Sequence, residues 1–231
     1  MKRSTLNISY FDKIDIEDKA YWLGFIWSDG YMCIRERGEK NRLNYEFKLS
    51  LAKEDKEHLE KFKKYLESDF IIKEYKTKTT FDNAQNEVRL MIYNKYFCSN
   101  LVNNYGLIPR RNDIGLILER LPKELYKHFI RGVLDADGSF RYYIIHNKER
   151  KASIRFSSCE QMCNFINQVF IDEGLTKTKQ KLFKRHKDRD INCEQLAFSG
   201  AIQVTNILNW LYKDATVYLD RKYEKYLKKW N

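Results

Sequence analysis

Two stretches of the chain decide its fold: WLGFIWSDG at 22–30 and IRGVLDADG at 130–138. Each is an apolar run of helical character that ends in Asp-Gly, with another glycine six residues before the last one. Nearly half of the 231-residue sequence separates the two copies. A repeat at that spacing predicts an internal duplication, which delivers one carboxylate, Asp29 or Asp137, to the equivalent place in each half.

These two carboxylates predict a cation site. A carboxylate in the last turn of a helix is unfavourable, because unpaired carbonyls already give that end partial negative charge. Two such ends packed side by side require a cation, and oxygen ligands favour a hard divalent ion such as Mg²⁺. We therefore predict metal ligation by Asp29 and Asp137, together with Ser28 and Ala136 in the carbonyl-rich last turns.

Small residues in each copy predict close helix packing. Gly24 with Ser28, and Gly132 with Ala136, place small residues at i and i+4 on one helix face. The glycines that end the two stretches are predicted to turn the chain in a left-handed conformation. A single Asp-Gly pair would mark only a turn after a core helix. Two copies at matching places favour a shared functional role.

Both stretches resemble the motif that names the LAGLIDADG homing endonucleases, and the second copy is nearly a consensus. The first copy departs at Trp27 and Ser28 but keeps Asp29. The resemblance covers most of the chain. It implies an α+β fold of two pseudo-symmetric αββαββα halves that form a saddle of two antiparallel sheets, with the motif helices packed at the centre. The first repeat would span 1–112 and the second 113–231, with a crossover at about 107–123.

Alternating residues between the motifs predict strands with one wet face. The clearest run is NYEFKLSL at 44–51, which is polar at even positions and apolar at odd positions. Each half is predicted as helix, two strands, helix, two strands, helix. The further strands are expected at about 70–78, 87–93, 140–146, 152–157, 177–185 and 195–199, and a basic helix at about 219–230 follows.

The charge of the chain indicates a polyanionic partner. Its 43 Lys and Arg against 32 Asp and Glu give a formal net charge of +11, which favours nucleic acid. Membrane binding is not expected, because the basic residues recur along the whole sequence. We predict that the polar strand faces contact double-stranded DNA, whose major groove accepts a two-stranded ribbon. The predicted contacts are Arg35, Arg37, Asn44, Glu46, Lys48, Lys76, Lys78, Arg89, Arg141, Tyr143, Asn147, Lys151, Ser153, Arg155, Lys179, Lys181, Arg185 and Gln195.

The resemblance implies an enzyme of intron homing, which makes a double-strand break in a long DNA target. The implied cofactor is Mg²⁺, with Mn²⁺ able to substitute, and Asp29 and Asp137 would each serve one strand. Matching positions in the two halves carry different side chains, such as Arg35 and Tyr143. Unlike halves favour an asymmetric target.

Two basic residues have two open interpretations. Arg111 and Lys222 each follow the last helix of a half. In the family this turn commonly brings a basic residue toward the scissile phosphates, which would make both residues catalytic. Alternatively, each is a cation that complements the carbonyl end of a helix.

Two other functions remain open on the same fold: an RNA splicing maturase and a catalytically inactive DNA-binding regulator. The two aspartates argue against the regulator. Because both motif copies lie in one chain, we expect a monomer with no obligate protein partner. The five cysteines include no Cys-x-x-Cys pair and indicate no zinc site. No leader-like apolar run follows Met1, so we expect an intracellular, cytoplasmic protein that a bacterium or a phage encodes, with an organelle as the alternative location.

Overall fold

The computed structural model describes residues 5–37, 42–77, 85–145, 149–184 and 193–228. Its first seven elements follow the predicted order of one half. They are α1 (Glu17–Asp29), β1 (Gly30–Arg37), β2 (Arg42–Ala52), α2 (Lys56–Tyr65), β3 (Lys73–Thr77), β4 (Gln85–Ile92) and α3 (Lys95–Tyr105).

The remaining elements repeat this order, with a short helix in the crossover that the sequence did not predict. They are α4 (Gly115–Leu118), α5 (Tyr126–Asp137), β5 (Ser139–Ile145), β6 (Glu149–Ser158), α6 (Glu160–Asp172), β7 (Phe183–Lys184), β8 (Glu194–Ser199), α7 (Ala201–Tyr212) and α8 (Asp220–Leu227). The predicted α+β class with two four-stranded antiparallel sheets is confirmed. Within the described ranges, no helix has the length and apolarity that crossing a bilayer requires.

The first compact unit comprises residues 1–13 and 29–109. Its antiparallel sheet has the order β1-β2-β4-β3, and α2 and α3 cover one face. The ring of Phe47 in β2 lies 6.2 Å from that of Phe62 in α2 and 5.8 Å from that of Phe97 in α3, centre to centre. Phe47, Leu49 and Leu51 of β2 are buried beneath these helices, whereas the even residues from 44 to 50 are partly exposed. The predicted alternation therefore separates a core face from an open face.

The second compact unit comprises residues 14–28 and 110–231. Its sheet has the order β5-β6-β8-β7, and α6 and α7 pack against it. This unit also contains α1 up to Ser28. The sequence division at 112/113 places that helix with the first half, whereas its contacts group it with the second. The reason is the way α1 packs against α5.

Glycines bring α1 and α5 into backbone contact. A Cβ on Gly132 would lie 2.8 Å from the Phe25 nitrogen, and a Cβ on Gly24 would lie 3.2 Å from the Val133 nitrogen. Each Cβ would also approach a backbone oxygen more closely than real side-chain carbons do, that of Tyr21 for Gly132 and that of Phe129 for Gly24. The helices can therefore pack this closely only because each presents a glycine at the contact.

The glycine that ends the second motif has another role than predicted. Gly138 has φ −92° and ψ 169°, which is extended rather than left-handed. A Cβ there would lie 2.7 Å from the Leu134 oxygen and 2.8 Å from its Cα. Gly30 likewise enters β1 directly and is not among the glycines with positive φ. The chain passes straight from each motif helix into a strand, and Gly138 is required for space.

Within the described residues, the strand predicted at 177–185 begins only at Phe183, the first residue of β7. The Asn167 side chain in α6 donates to the Gln180 carbonyl at 2.8 Å and accepts from the Gln180 amide at 3.0 Å. A side-chain amide therefore satisfies backbone groups that a strand would have paired in the sheet.

Candidate functional site

The second motif helix ends at a solvent-facing carboxylate. Asp137 is the last residue of α5, and its side chain is exposed. It borders an open pocket of about 230 Å³, which we call the Asp137 pocket, together with Ser28 and Arg111. The other lining residues are Trp27, Arg110, Ser157, Ser158, Cys159 and Cys193.

Opposing influences act on the ionisation of Asp137. Although the side chain reaches solvent, the protein atoms around it desolvate the carboxyl and raise its pKa, while Lys222 and Arg111 favour the charged form. The net direction of the pKa shift is upward. An added cation would stabilise the ionised carboxylate, so the electrostatics of this helix end favour cation binding.

One buried ammonium group caps the end of α5. Lys222, near the start of α8, is only 7% exposed. Its Nζ donates to the carbonyls of Leu134 and Asp135 at 2.6 Å and of Gly138 at 2.8 Å. These bonds engage all three ammonium protons and satisfy carbonyls that a helix end leaves unpaired. The contacts of Lys222 are thus those of a helix-terminal cation, and its catalytic role stays a prediction.

A buried carboxylate lies behind this cap, and the sequence analysis missed it. Asp135 accepts hydrogen bonds from the hydroxyls of Tyr21 at 2.8 Å and Tyr212 at 2.5 Å, and from the Leu219 amide at 2.8 Å. Burial raises the pKa of Asp135, while the adjacent ammonium group and these hydrogen bonds oppose the rise. An acidic residue inside the apolar run IRGVLDADG was the available signal.

The end of α1 is capped differently. Arg111 is half-buried, and its Nη2 donates to the carbonyls of Ser28 at 2.9 Å and Ile26 at 3.4 Å. The guanidinium carbon lies 5.2 Å from the centre of the Trp27 ring, a cation–π distance. Asp29 follows as the last residue of α1. The Ser28 carbonyl, a predicted metal ligand, is therefore already an acceptor, although its second lone pair can still bind a cation.

The donor set suits a divalent ion that is held jointly with a substrate. Among the described side chains, no group of three or more His, Cys, Asp or Glu is arranged to hold a metal. Mg²⁺ commonly binds through one or two carboxylates, waters and substrate phosphates instead. The Ser28 hydroxyl, which borders the Asp137 pocket, is buried and has no hydrogen-bond partner in the described part of the chain. A hydrated ion or a phosphate would satisfy it.

A second buried ionic group ties α5 to α1. Arg131 is fully buried and donates to Glu17 Oε1 at 2.6 Å, to the Leu211 carbonyl at 2.9 Å and to the Val217 carbonyl at 3.0 Å. His128 Nδ1 lies 3.1 Å from Arg131 Nη1. Burial and the Arg131 charge lower the pKa of His128 to about 4. These contacts join α5 to the first turn of α1 and to the segment that contains Leu211 and Val217.

The open face of the first sheet carries predicted DNA contacts in a mixed-charge setting. Arg35 pairs in register with Asn44, and its side chain is 62% exposed. Its Nη2 lies 3.6 Å from a Glu46 oxygen. Lys48 Nζ lies 4.7 Å from the centre of the Tyr31 ring. The strands therefore bring Arg35, Asn44, Glu46 and Lys48 to one face, where carboxylates and rings interleave with the cations.

The outer strands of this sheet correct one predicted contact. Arg89 pairs in register with Lys73, and its guanidinium lies 4.2 Å from the Tyr75 ring. Alternate residues share a face, so Lys73 and Tyr75 lie on the open face beside Arg89. Lys76 pairs with Asn86 and, as the neighbour of Tyr75, lies on the opposite face from the one predicted for it.

The second sheet brings most of its predicted contacts together. Arg141 pairs in register with Ser153, Tyr143 pairs with Lys151, and Arg155 continues the same face. Arg141, Tyr143 and Arg155 are exposed, and Ser153 and Lys151 are partly exposed. The arrangement is a polar, basic strand pair of the kind that the sequence predicted.

Other predicted contacts on this half do not join the strand face. Gln195 is on it but only 4% exposed, and its Nε2 donates to Ser157 Oγ at 3.3 Å, so it does not present a free amide. Lys179 and Lys181 are exposed but precede β7, which begins at Phe183. The Arg37 side chain and the residues Lys78, Asn147 and Arg185 lie outside the described residues.

No protein-family model matches the chain, and no curated protein matches it. Solved structures do share its fold. The LAGLIDADG meganuclease I-AabMI bound to uncleaved DNA is 15% identical, with a TM-score of 0.56 over 90% of this chain and 87% of that one. The I-LtrWI LAGLIDADG homing endonuclease bound to target DNA is 12% identical, with a TM-score of 0.58 over 96% and 88%. I-SmaMI bound to uncleaved DNA in the presence of calcium ions is 12% identical, with a TM-score of 0.57 over 90% and 87%.

Proposed function

We propose that this chain is a site-specific DNA endonuclease that makes a divalent-metal-dependent double-strand break in a long, asymmetric duplex target. One observation carries the proposal. The two motif helices contact each other through glycines, each ends in an aspartate, and each end is capped by a basic residue. Proteins with the same fold include the meganuclease I-AabMI and the homing endonuclease I-LtrWI, each bound to DNA, which supports this assignment.

Asp29 and Asp137 would hold the divalent ion, with backbone oxygens of Ser28 and Ala136 as further ligands. When bound, Mg²⁺ or Mn²⁺ supplies positive charge to the phosphate and lowers the pKa of water. Arg111, which borders the Asp137 pocket, would bind the phosphate. Each aspartate would serve one DNA strand.

Lys222 would act as a positioning residue. Its three hydrogen bonds fix the carbonyls of the last turn of α5, and Asp137 projects from that turn. The polar strand faces would hold the duplex, with Arg35 and Arg141 reading bases and neighbouring lysines neutralising phosphates. Both motif copies lie in one chain, so the active species would be a monomer.

The proposal is tested by incubating the purified protein with duplex DNA that flanks its own gene, with Mg²⁺, with Mn²⁺ or with a chelator. We expect a double-strand cut that depends on the metal ion. Specific duplex binding without a cut under any of these conditions would favour the inactive regulator. Tight binding to an intron RNA in preference to duplex DNA would favour the maturase.

A further inference from the structure

A second pocket, of about 360 Å³, opens where the end of α5 meets α8. We call it the α8 pocket. Its lining, as far as the structure describes it, includes the cations Arg221, Lys222 and Lys225 and no carboxylate. Ser139 and Phe140 at the start of β5 complete its polar and apolar walls. A concave site with this charge favours an anion.

The three cations of this pocket differ in whether they can donate hydrogen bonds to a ligand. The three protons of Lys222 are engaged by helix-end carbonyls, so Lys222 contributes charge but no further donor. Arg221 and Lys225 are exposed side chains on the same helix. Both line the pocket, and with five N–H groups on Arg221 and three on Lys225 each can turn a donor toward an incoming anion.

The spacing of these two residues points to the same conclusion. Arg221 and Lys225 stand at i and i+4 on α8, where like charges repel each other and destabilise a helix. The Lys225 Nζ lies 5.5 Å from the centre of the Phe140 ring, which holds it over the pocket wall. A bound anion relieves the repulsion. A phosphate matches the planar fork of Arg221 and the point charge of Lys225.

At the matching position, the first half carries an apolar residue in place of Lys225. The spacing that aligns Arg111 with Lys222 also aligns Ile114 with Lys225. Ile114 is buried in the protein core. The extra cation therefore belongs to the second half alone, and the repeated motif does not account for it.

We infer that the α8 pocket is a phosphate-binding site in which Arg221 and Lys225 are the donors. Its occupant in the DNA complex is a backbone phosphodiester of the duplex, a point that rests on the proposed function. Inorganic phosphate carries the same chemistry and is the alternative source. The pocket would anchor the duplex on the second half without reading its bases.

The test compares Lys225→Gln with Lys228→Gln, a matched variant that also removes one exposed charge from the end of α8 but does not line the pocket. Duplex affinity is measured against salt concentration. We expect the log–log slope for Lys225→Gln to be smaller in magnitude by about 0.9, which corresponds to one phosphate, and the slope for Lys228→Gln to be unchanged. Phosphate-ethylation interference should lose one backbone position in Lys225→Gln only.

A second measurement uses inorganic phosphate in place of DNA. Phosphate binding is monitored by the increase in Tm, and chloride at equal ionic strength serves as the control. We expect phosphate affinity to fall about five-fold or more in Lys225→Gln, as loss of a charge-assisted hydrogen bond implies, and to be unchanged in Lys228→Gln. If both variants behave alike in both assays while the wild type binds duplex DNA, the pocket assignment is overturned and the proposed function stands. If phosphate binds at the pocket but duplex DNA does not bind, the proposed function falls and inorganic phosphate is the occupant.

Discussion

Different residues neutralise the partial negative charge of the unpaired carbonyls at the ends of the two motif helices. At the residue two before the motif aspartate, α1 carries Trp27 and α5 carries Asp135. The end of α1 is capped by Arg111, which stacks on Trp27. The end of α5 is capped by Lys222, whose charge is opposed by the buried Asp135.

This difference shows that each capping cation is suited to its neighbour in the helix, Arg111 to the ring of Trp27 and Lys222 to the carboxylate of Asp135. An arginine with five donors can cap a half-buried helix end, stack on a ring and still contact a phosphate. A buried lysine instead commits all its protons to carbonyls and needs a nearby carboxylate to offset its desolvation. We therefore expect Lys222 to act mainly in stability and Arg111 mainly in substrate contact.

The largest expected effect on stability is that of Lys222→Met. The substitution leaves three helix-end carbonyls without their donor and Asp135 without its cation, so the free energy of unfolding should fall by about 3 kcal/mol. Chemical denaturation checks this, with Lys225→Met on the exposed side of the same helix as the control. A loss no larger than that of the control would contradict the structural role of Lys222.

Arg111→Met should affect the cleavage rate more than the stability of the fold. We expect its free energy of unfolding to fall by only about 1 kcal/mol, since a half-buried cation–π contact and helix cap are lost. Cleavage should slow about 100-fold, in line with removal of one donor to a developing anion. Unfolding and cleavage rates are measured on the same preparation, with Arg111→Lys as the partial rescue. An unchanged cleavage rate would exclude a catalytic role.

Acid should also destabilise the protein, because buried ionic contacts anchor α5. The pKa of His128 falls from 6.5 to about 4 in the folded protein, so between these values the unfolded chain binds a proton that the folded chain does not. The free energy of unfolding should therefore decrease as the pH falls through this window, by about 1–3 kcal/mol in all.

His128→Asn isolates this contribution. The raised pKa of Asp135 acts in the opposite direction but is present in both proteins, so it cancels in the difference between their pH profiles. Denaturation at several pH values should show a shallower dependence for the variant. Parallel profiles for the two proteins would show that His128 does not titrate as the structure implies.

The sequence predicted what depends on local pattern. The motif helices, the close approach at Gly24 and Gly132 and the alternation at 44–51 follow from periodicity and small residues, and the structure has all of them. What it did not reveal depends on distant partners. Asp135 is buried against Tyr212, and Gln180 is held by the Asn167 side chain, neither of which any local pattern contains.

For the candidate site, too, the sequence predicted the features that depend on the local motif and not those that depend on tertiary structure. The positions of Asp29 and Asp137 at helix ends came from the repeat, whereas the register of β3 moved Lys76 to the opposite face. The space required at Gly138 depends on how the chain leaves α5. The α8 pocket combines residues from β5 and α8, so only the folded chain shows it.

The central claim is that each motif aspartate is required for the double-strand break. The most direct measurement is a strand-resolved cleavage assay with both DNA strands labelled, which compares Asp29→Asn and Asp137→Asn with Asp172→Asn, an exposed aspartate outside the motif. We expect each motif variant to lose double-strand cleavage while binding the duplex normally, since the change removes charge but little volume, and Asp172→Asn to cut as the wild type does. Cleavage of both strands at the wild-type rate by either motif variant would contradict the account.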